Sequence, residues 1–121
     1  MLLLAAALLF LLGLAHSYLG ERYLLMRLFR RGNLPALFGG TAFTVGTLRF
    51  AWHLTTVAWF GLAFLLVLVA FDALTTARVL YTVAASALLS AAFLIAFTRG
   101  RHLSWIVFLA VGVLTLAAIR G

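Results

Sequence analysis

From Trp52 to Phe71 the chain carries no aspartate, glutamate, lysine or arginine. That is about 20 residues, the length at which an α-helix crosses the hydrocarbon of a bilayer. The run belongs to a longer apolar stretch, Thr41 to Phe71, with Arg49 and His53 near its start. Residues four apart share a helical face, so Arg49 and His53 lie together at the edge of a membrane.

Composition agrees. Hydrophobic residues make up 67% of the 121-residue chain and charged residues 9%. A small soluble domain leaves roughly a third of its chain surface in water and cannot hide so much apolar area. Lipid supplies no partner for free backbone groups, which leaves helices or a closed barrel. The apolar runs are continuous rather than alternating, which argues against barrel strands. The expected fold is all-α: an integral membrane four-helix up-down-up-down bundle, a single domain over 1–121, with spans at about 2–19, 41–71, 76–97 and 103–119.

The first span keeps its place despite a signal-like start, because no positive segment precedes its apolar core. Ala6, Gly13 and Gly20 recur every seven residues along it. A seam of small residues lets another helix approach closely. The connection 20–40 sets Arg27, Arg30 and Arg31 on one side of a helical projection, and Leu24, Leu25, Leu28 and Phe29 on the other. That pattern fits an amphipathic helix at the headgroups, or the first helix continuing beyond the membrane. Gly32-Asn33 ends it and Pro35 prevents resumption. The second run, at 1.5 Å per residue, is about 46 Å long and must tilt or protrude. Thr75 or Thr76 is placed to cap the third helix. The third helix is dense in small residues, Ala84, Ala85, Ser86, Ala87, Ser90, Ala91 and Ala92 among them, which suits a central position.

Net charge is +7, all of it from arginine. Arg22, Arg27, Arg30, Arg31, Arg99 and Arg101 fall in the first and third connections, against Arg78 and Arg120 on the other side. The excess marks the cytoplasmic side and leaves both termini non-cytoplasmic. The expected partners are membrane lipids and either further copies of the chain or a larger membrane complex. Nucleic acid is excluded for want of a soluble basic module. There is no cysteine, which removes disulfides, zinc–thiolate sites and cysteine nucleophiles.

One constellation carries chemistry. The first span brings His16, Ser17, Glu21 and Arg22 to its cytoplasmic end, and the second starts there with Arg49, Trp52 and His53. These residues are the candidate ligand- or lipid-binding site. Guanidinium groups at this depth suit an anionic headgroup. His16, Glu21, His53 and His102 are the candidate metal ligands, or two of the histidines the axial ligands of a haem. No H-x-x-x-H motif supports them. The competing reading is structural: polar groups at helix ends reach the headgroups, a Glu–Arg pair staples two helices, and Tyr18, Trp52, Trp59 and Trp105 anchor the interface. A proton or ion path needs deeper polar groups than the second and third spans offer. An enzyme needs a nucleophile–base pair, and His16 beside Ser17 is not one by adjacency alone.

The segments His16-Ser-Tyr-Leu-Gly-Glu21-Arg22, Arg31-Gly-Asn-Leu-Pro35 and Arg49-Phe-Ala-Trp-His53 resemble a group of small bacterial inner-membrane proteins of no assigned function. That resemblance covers the first half of the chain and implies four spans, a bacterial cytoplasmic membrane and no activity. Together these readings point to a non-enzymatic membrane protein that works by packing, as a homo-oligomer or an accessory subunit. The alternative is a module holding a metal, haem or anionic headgroup at the His/Glu/Arg cluster.

Overall fold

A computed structural model describes residues 1–121. It is helical apart from its turns and one isolated bridge between Leu37 and Gly40. Helix α1 spans Leu2–Leu19 and runs through a π-helical turn, Gly20–Leu25, into α2, Met26–Arg30. The first helix therefore continues past the apolar run, the second of the two alternatives for the basic connection. Gly32, at φ 74°, follows its end. Helices α3 (Ala42–Ala70), α4 (Thr76–Thr98) and α5 (Ser104–Arg120) complete the chain. Thr75 caps α4, its hydroxyl accepting the Arg78 N–H at 3.2 Å.

Three helices are long and apolar enough to cross a membrane: Leu2–Arg30, Ala42–Ala70 and Thr76–Thr98. The fourth, α5, has 17 residues, about 26 Å at the usual rise. Only 18 of 121 residues are buried, and large apolar side chains such as Leu8 and Leu11 on α1 and Val107 and Leu114 on α5 stand exposed. Such a surface suits lipid, not water.

The helices pack in chain order: α1 on α3, α3 on α4, α4 on α5. No extensive contact joins α1 to α5, so the row stays open instead of closing around a central core. In each contact, numbers fall along one helix as they rise along the other. Phe10 stacks on Phe60, Ser17 meets His53 and Glu21 meets Arg49. Gly46 lies against Phe97, and Gly61 against Ser86.

Small residues set these approaches. The buried positions of the first helix are Ala6, Gly13, Gly20 and Leu25, so three of the four are the seven-residue seam read from the sequence. A Cβ on Gly20 would overlap the Trp52 indole, and one on Gly46 would overlap the Phe97 carbonyl. A Cβ on Gly13 would press on the Phe60 ring at 2.7 Å and touch the Thr56 methyl at 3.4 Å, and side chains can turn aside. Overpacking of this kind costs about 1–3 kcal/mol. Gly46→Ala, which has backbone in its way, should therefore lower the unfolding midpoint in detergent more than Gly13→Ala does. The reverse order would contradict the close α3–α4 approach.

Candidate functional site

The polar cluster lies in the α1–α3 seam and starts from one carboxylate. Glu21 sits in the first residues of the π turn. Arg49, two turns into α3, donates Nε–H to both its oxygens, at 2.9 and 3.1 Å, and Nη2–H to Oε1 at 2.6 Å. His53, one turn further along α3, brings Nε2 to Oε2 at 3.0 Å. The carboxylate is thus held by a guanidinium fork and an imidazole. Charge-assisted bonds of that kind are the strong ones, and two parallel donors fix direction as well as distance.

The chain of contacts continues inward. His53 Nδ1 lies 2.8 Å from Ser17 Oγ, and Ser17 Oγ lies 2.6 Å from Thr56 Oγ1. Thr56 donates to the Gly13 carbonyl at 3.2 Å. Proton bookkeeping gives this ladder two arrangements. With both imidazole nitrogens protonated, every contact is satisfied at once: Thr56 donates to Gly13, Ser17 to Thr56, and His53 to Ser17 and Glu21. With one proton, on Nε2, Ser17 turns its hydroxyl to Nδ1, and Thr56 either keeps Gly13 or donates to Ser17.

His16 makes a separate lock beside it. Its ring stacks on Trp52 with centroids 4.4 Å apart and planes 5° from parallel. His16 Nε2–H donates to the Trp52 carbonyl at 3.2 Å, and the Trp52 indole N–H donates to the His16 carbonyl at 3.0 Å. The same carbonyl accepts the Gly20 N–H at the junction with the π turn. A side chain that inserts into the helical ladder is a known cause of such distortion. Gly20 has no Cβ to keep the indole away.

Six of the sequence candidates, His16, Ser17, Glu21, Arg49, Trp52 and His53, are thus gathered in one seam. Two are not. Arg22 is exposed and forms no hydrogen bond or ion pair. His102 lies against the other side of α3's start, stacked on Phe43 at 5.8 Å, with Nδ1 accepting the Ser104 N–H at 3.4 Å. The metal set His16, Glu21, His53 and His102 is not assembled, and no group of three His, Asp or Glu side chains is placed to hold an ion. Glu21 and His53 meet, but His16 is turned to the Trp52 backbone and His102 to its own loop.

The sequence reading does not single out Thr56, which ends the ladder. It also missed the pairing of Ser17 with His53, 36 residues apart. Ser17, His53 and Glu21 have the connectivity of a nucleophile, its base and an orienting carboxylate. Ser17 lies inside a continuous helix, where backbone N–H groups are engaged in the helical ladder. No backbone donors are left there to stabilise an oxyanion. The chemistry the seam supports best is the fastening of two helices.

No protein-family model matches the chain, and no curated protein or solved structure matches it.

The pair Glu21–Arg49 is about 30% exposed on each side, 29% and 31%, so its contribution lies between that of a surface pair and a buried one. Arg49→Ala and Glu21→Ala should each cost about 1–3 kcal/mol, with a favourable coupling of about 1–2 kcal/mol in the double-mutant cycle. Thr56→Val should cost about 1 kcal/mol. Unfolding midpoints in detergent check all three. Strict additivity in the cycle would show that the pair carries no load.

Proposed function

We propose that this chain is a four-span protein of the bacterial cytoplasmic membrane that acts by packing, with copies of itself or as an accessory subunit of a membrane complex, and not by catalysis. In this reading the helices run up-down-up-down across the bilayer. The length and apolar character of three helices support it. The distribution of arginine supports the orientation. The end of the row that joins Glu21 to Arg49 and Gly46 to Phe97 also carries Arg22, Arg27, Arg30, Arg31, Arg99 and Arg101. That end faces the cytoplasm by the positive-inside rule, and both termini lie on the other side.

The observation that carries the reading is the open row. α1 and α5 do not close on one another, so each end of the row presents an apolar helix that a neighbouring copy or subunit can cover. The cluster does not compete with this role. Its charged and imidazole groups are directed at one another across the seam, as in a clamp. Within the alternative of a metal, haem or anionic headgroup at this edge, the headgroup is supported by the arginines of the α4–α5 turn, considered below.

The chain has no cysteine of its own, so single cysteines introduced on the outer faces, Leu11→Cys on α1 or Leu114→Cys on α5, report on neighbours without background. We expect oxidative cross-linking of at least one variant in native membranes, and a defined oligomer or stoichiometric complex by native mass spectrometry in mild detergent. A monomer free of partners under both conditions would overturn the proposal.

A further inference from the structure

Two recesses adjoin near the α1–α3 seam, the first on the α4 side of α3 and the second among α1, α3 and α4. The first is a polar cleft of ≈ 280 Å³ between the start of α3 and the α4–α5 turn, bordered by Arg49, Phe97, Thr98, Arg99 and Arg101. The second is an almost wholly apolar groove of ≈ 460 Å³ that runs deeper between α1, α3 and α4. Tyr18, Leu89 and Phe93 form walls of it, and Ser17, His53 and Thr56 lie along it. Phe97 borders both.

The cleft holds an excess of unanswered positive charge. Arg99 and Arg101 make no ion pair and no side-chain hydrogen bond, and the only salt bridges of the chain lie at Glu21. Arg49 gives Nε and Nη2 to Glu21 and leaves Nη1 free. Arg99 also occupies a left-handed backbone conformation, φ 53°, immediately before Gly100 at φ 75°. A non-glycine residue held there is strained. Arg49, Arg99 and Arg101 all border this one cleft, and guanidinium groups recognise phosphate. An apolar groove that shares Phe97 with the cleft accepts a hydrocarbon chain, and its size is in the range of ligand pockets. A phosphate head with a hydrocarbon tail is an anionic phospholipid.

We propose that the chain binds one anionic phospholipid, its phosphate in the Arg49–Arg99–Arg101 cleft and an acyl chain in the groove beyond Phe97. The site adjoins the Glu21 clamp: Arg49 belongs to the clamp and borders the cleft, and Ser17, His53 and Thr56 of the ladder lie along the groove. It rests on the membrane reading and not on the oligomeric one. The two fail separately, because protein mass reads oligomer and lipid mass reads ligand.

The full-length protein, purified in mild detergent, is titrated with dioleoyl phosphatidylglycerol, dioleoyl phosphatidylcholine and inorganic phosphate and read by native mass spectrometry. One phosphatidylglycerol per chain should be retained at least tenfold more tightly than phosphatidylcholine, and the preference should shrink as salt is raised. Arg99→Gln with Arg101→Gln should weaken phosphatidylglycerol about 30-fold, from the usual contribution of two basic residues at a membrane surface. Leu89→Trp, which fills the groove, should weaken the lipid and leave inorganic phosphate unchanged. Circular dichroism and melting confirm that both variants fold, and Arg101→Gln alone, expected at about fivefold, serves should the double variant not. Equal retention of the two lipids, a Poisson series of adducts unmoved by Arg99→Gln/Arg101→Gln, or displacement of the lipid by inorganic phosphate at equal concentration would each overturn the proposal.

Discussion

A carboxylate in an apolar seam must be answered where it stands, and Glu21 is the constraint to which the first half of this chain conforms. An isolated charge among apolar helices is expensive, and its cost falls only when partners are fixed around it. Here Arg49 and His53, one turn apart on α3, close on the carboxylate from two directions. Sliding α1 against α3 by one turn would strand the charge. The register of the two helices is therefore set by electrostatics, and the packing above and below it follows. Each partner is itself held: His53 by Ser17, Ser17 by Thr56, Thr56 by the Gly13 carbonyl. A side chain supported in this way keeps its rotamer, which gives the clamp direction as well as strength.

The other seams use a different device. The hydroxyls of Thr82, Ser90 and Thr98 on α4 return to carbonyls four residues earlier on their own helix. Thr115 on α5 does the same. Such back-bonding satisfies a hydroxyl without joining two helices. The α3–α4 and α4–α5 contacts therefore depend on shape. Gly46 admits the Phe97 carbonyl, and Gly112 admits the Leu88 side chain. In lipid, where apolar surface gains little by leaving its surroundings, close packing of small residues is the main source of helix association. One seam is specified by charge and the others by the absence of side chains, so the energetic weight of the row is uneven.

That division explains what could be read from residues alone. Runs without charge mark helices, and α3, α4 and α5 lie along them. Placing the end of one span beside the start of the next gives axial depth, and depth was sufficient to bring Glu21 and His16 to the level of Arg49 and His53. Depth does not give azimuth. His102 and Arg22 sit at the same end of the row, yet one lies across α3 from the clamp and the other points outward. The π turn beginning at Gly20 adds to the difficulty, because residues beyond it no longer follow the angular count of an α-helix. Thr56 was hidden for another reason. A single hydroxyl in an apolar run is usually answered by its own helix, as in α4, and only the approach of Gly13 and Ser17 turns this one into a cross-link. The openness of the row was not legible at all, because nothing in the pattern of α1 or α5 distinguishes a face that meets a helix from one that meets lipid.

Arg49 is the point at which the two halves of the molecule communicate. Its Nε and Nη2 are committed to Glu21 on the first helix, its guanidinium lies 5.1 Å from the Phe29 ring centroid, and the residue also borders the cleft formed by the α4–α5 turn. A fork with five N–H donors can serve both, since the clamp takes Nε and Nη2 and leaves Nη1. Whatever occupies the cleft therefore acts on a group that also sets the register of α1 on α3. If an anion there draws the guanidinium toward itself, it weakens the clamp. By reciprocity, loosening the clamp strengthens the hold on the anion by the same free energy. If it takes only Nη1, the two contacts share one charge and polarise it in opposite directions, and the coupling is small. The sign and size of that coupling depend on how far Arg49 moves, and Glu21, with His53 as its second partner, is built to keep that movement small.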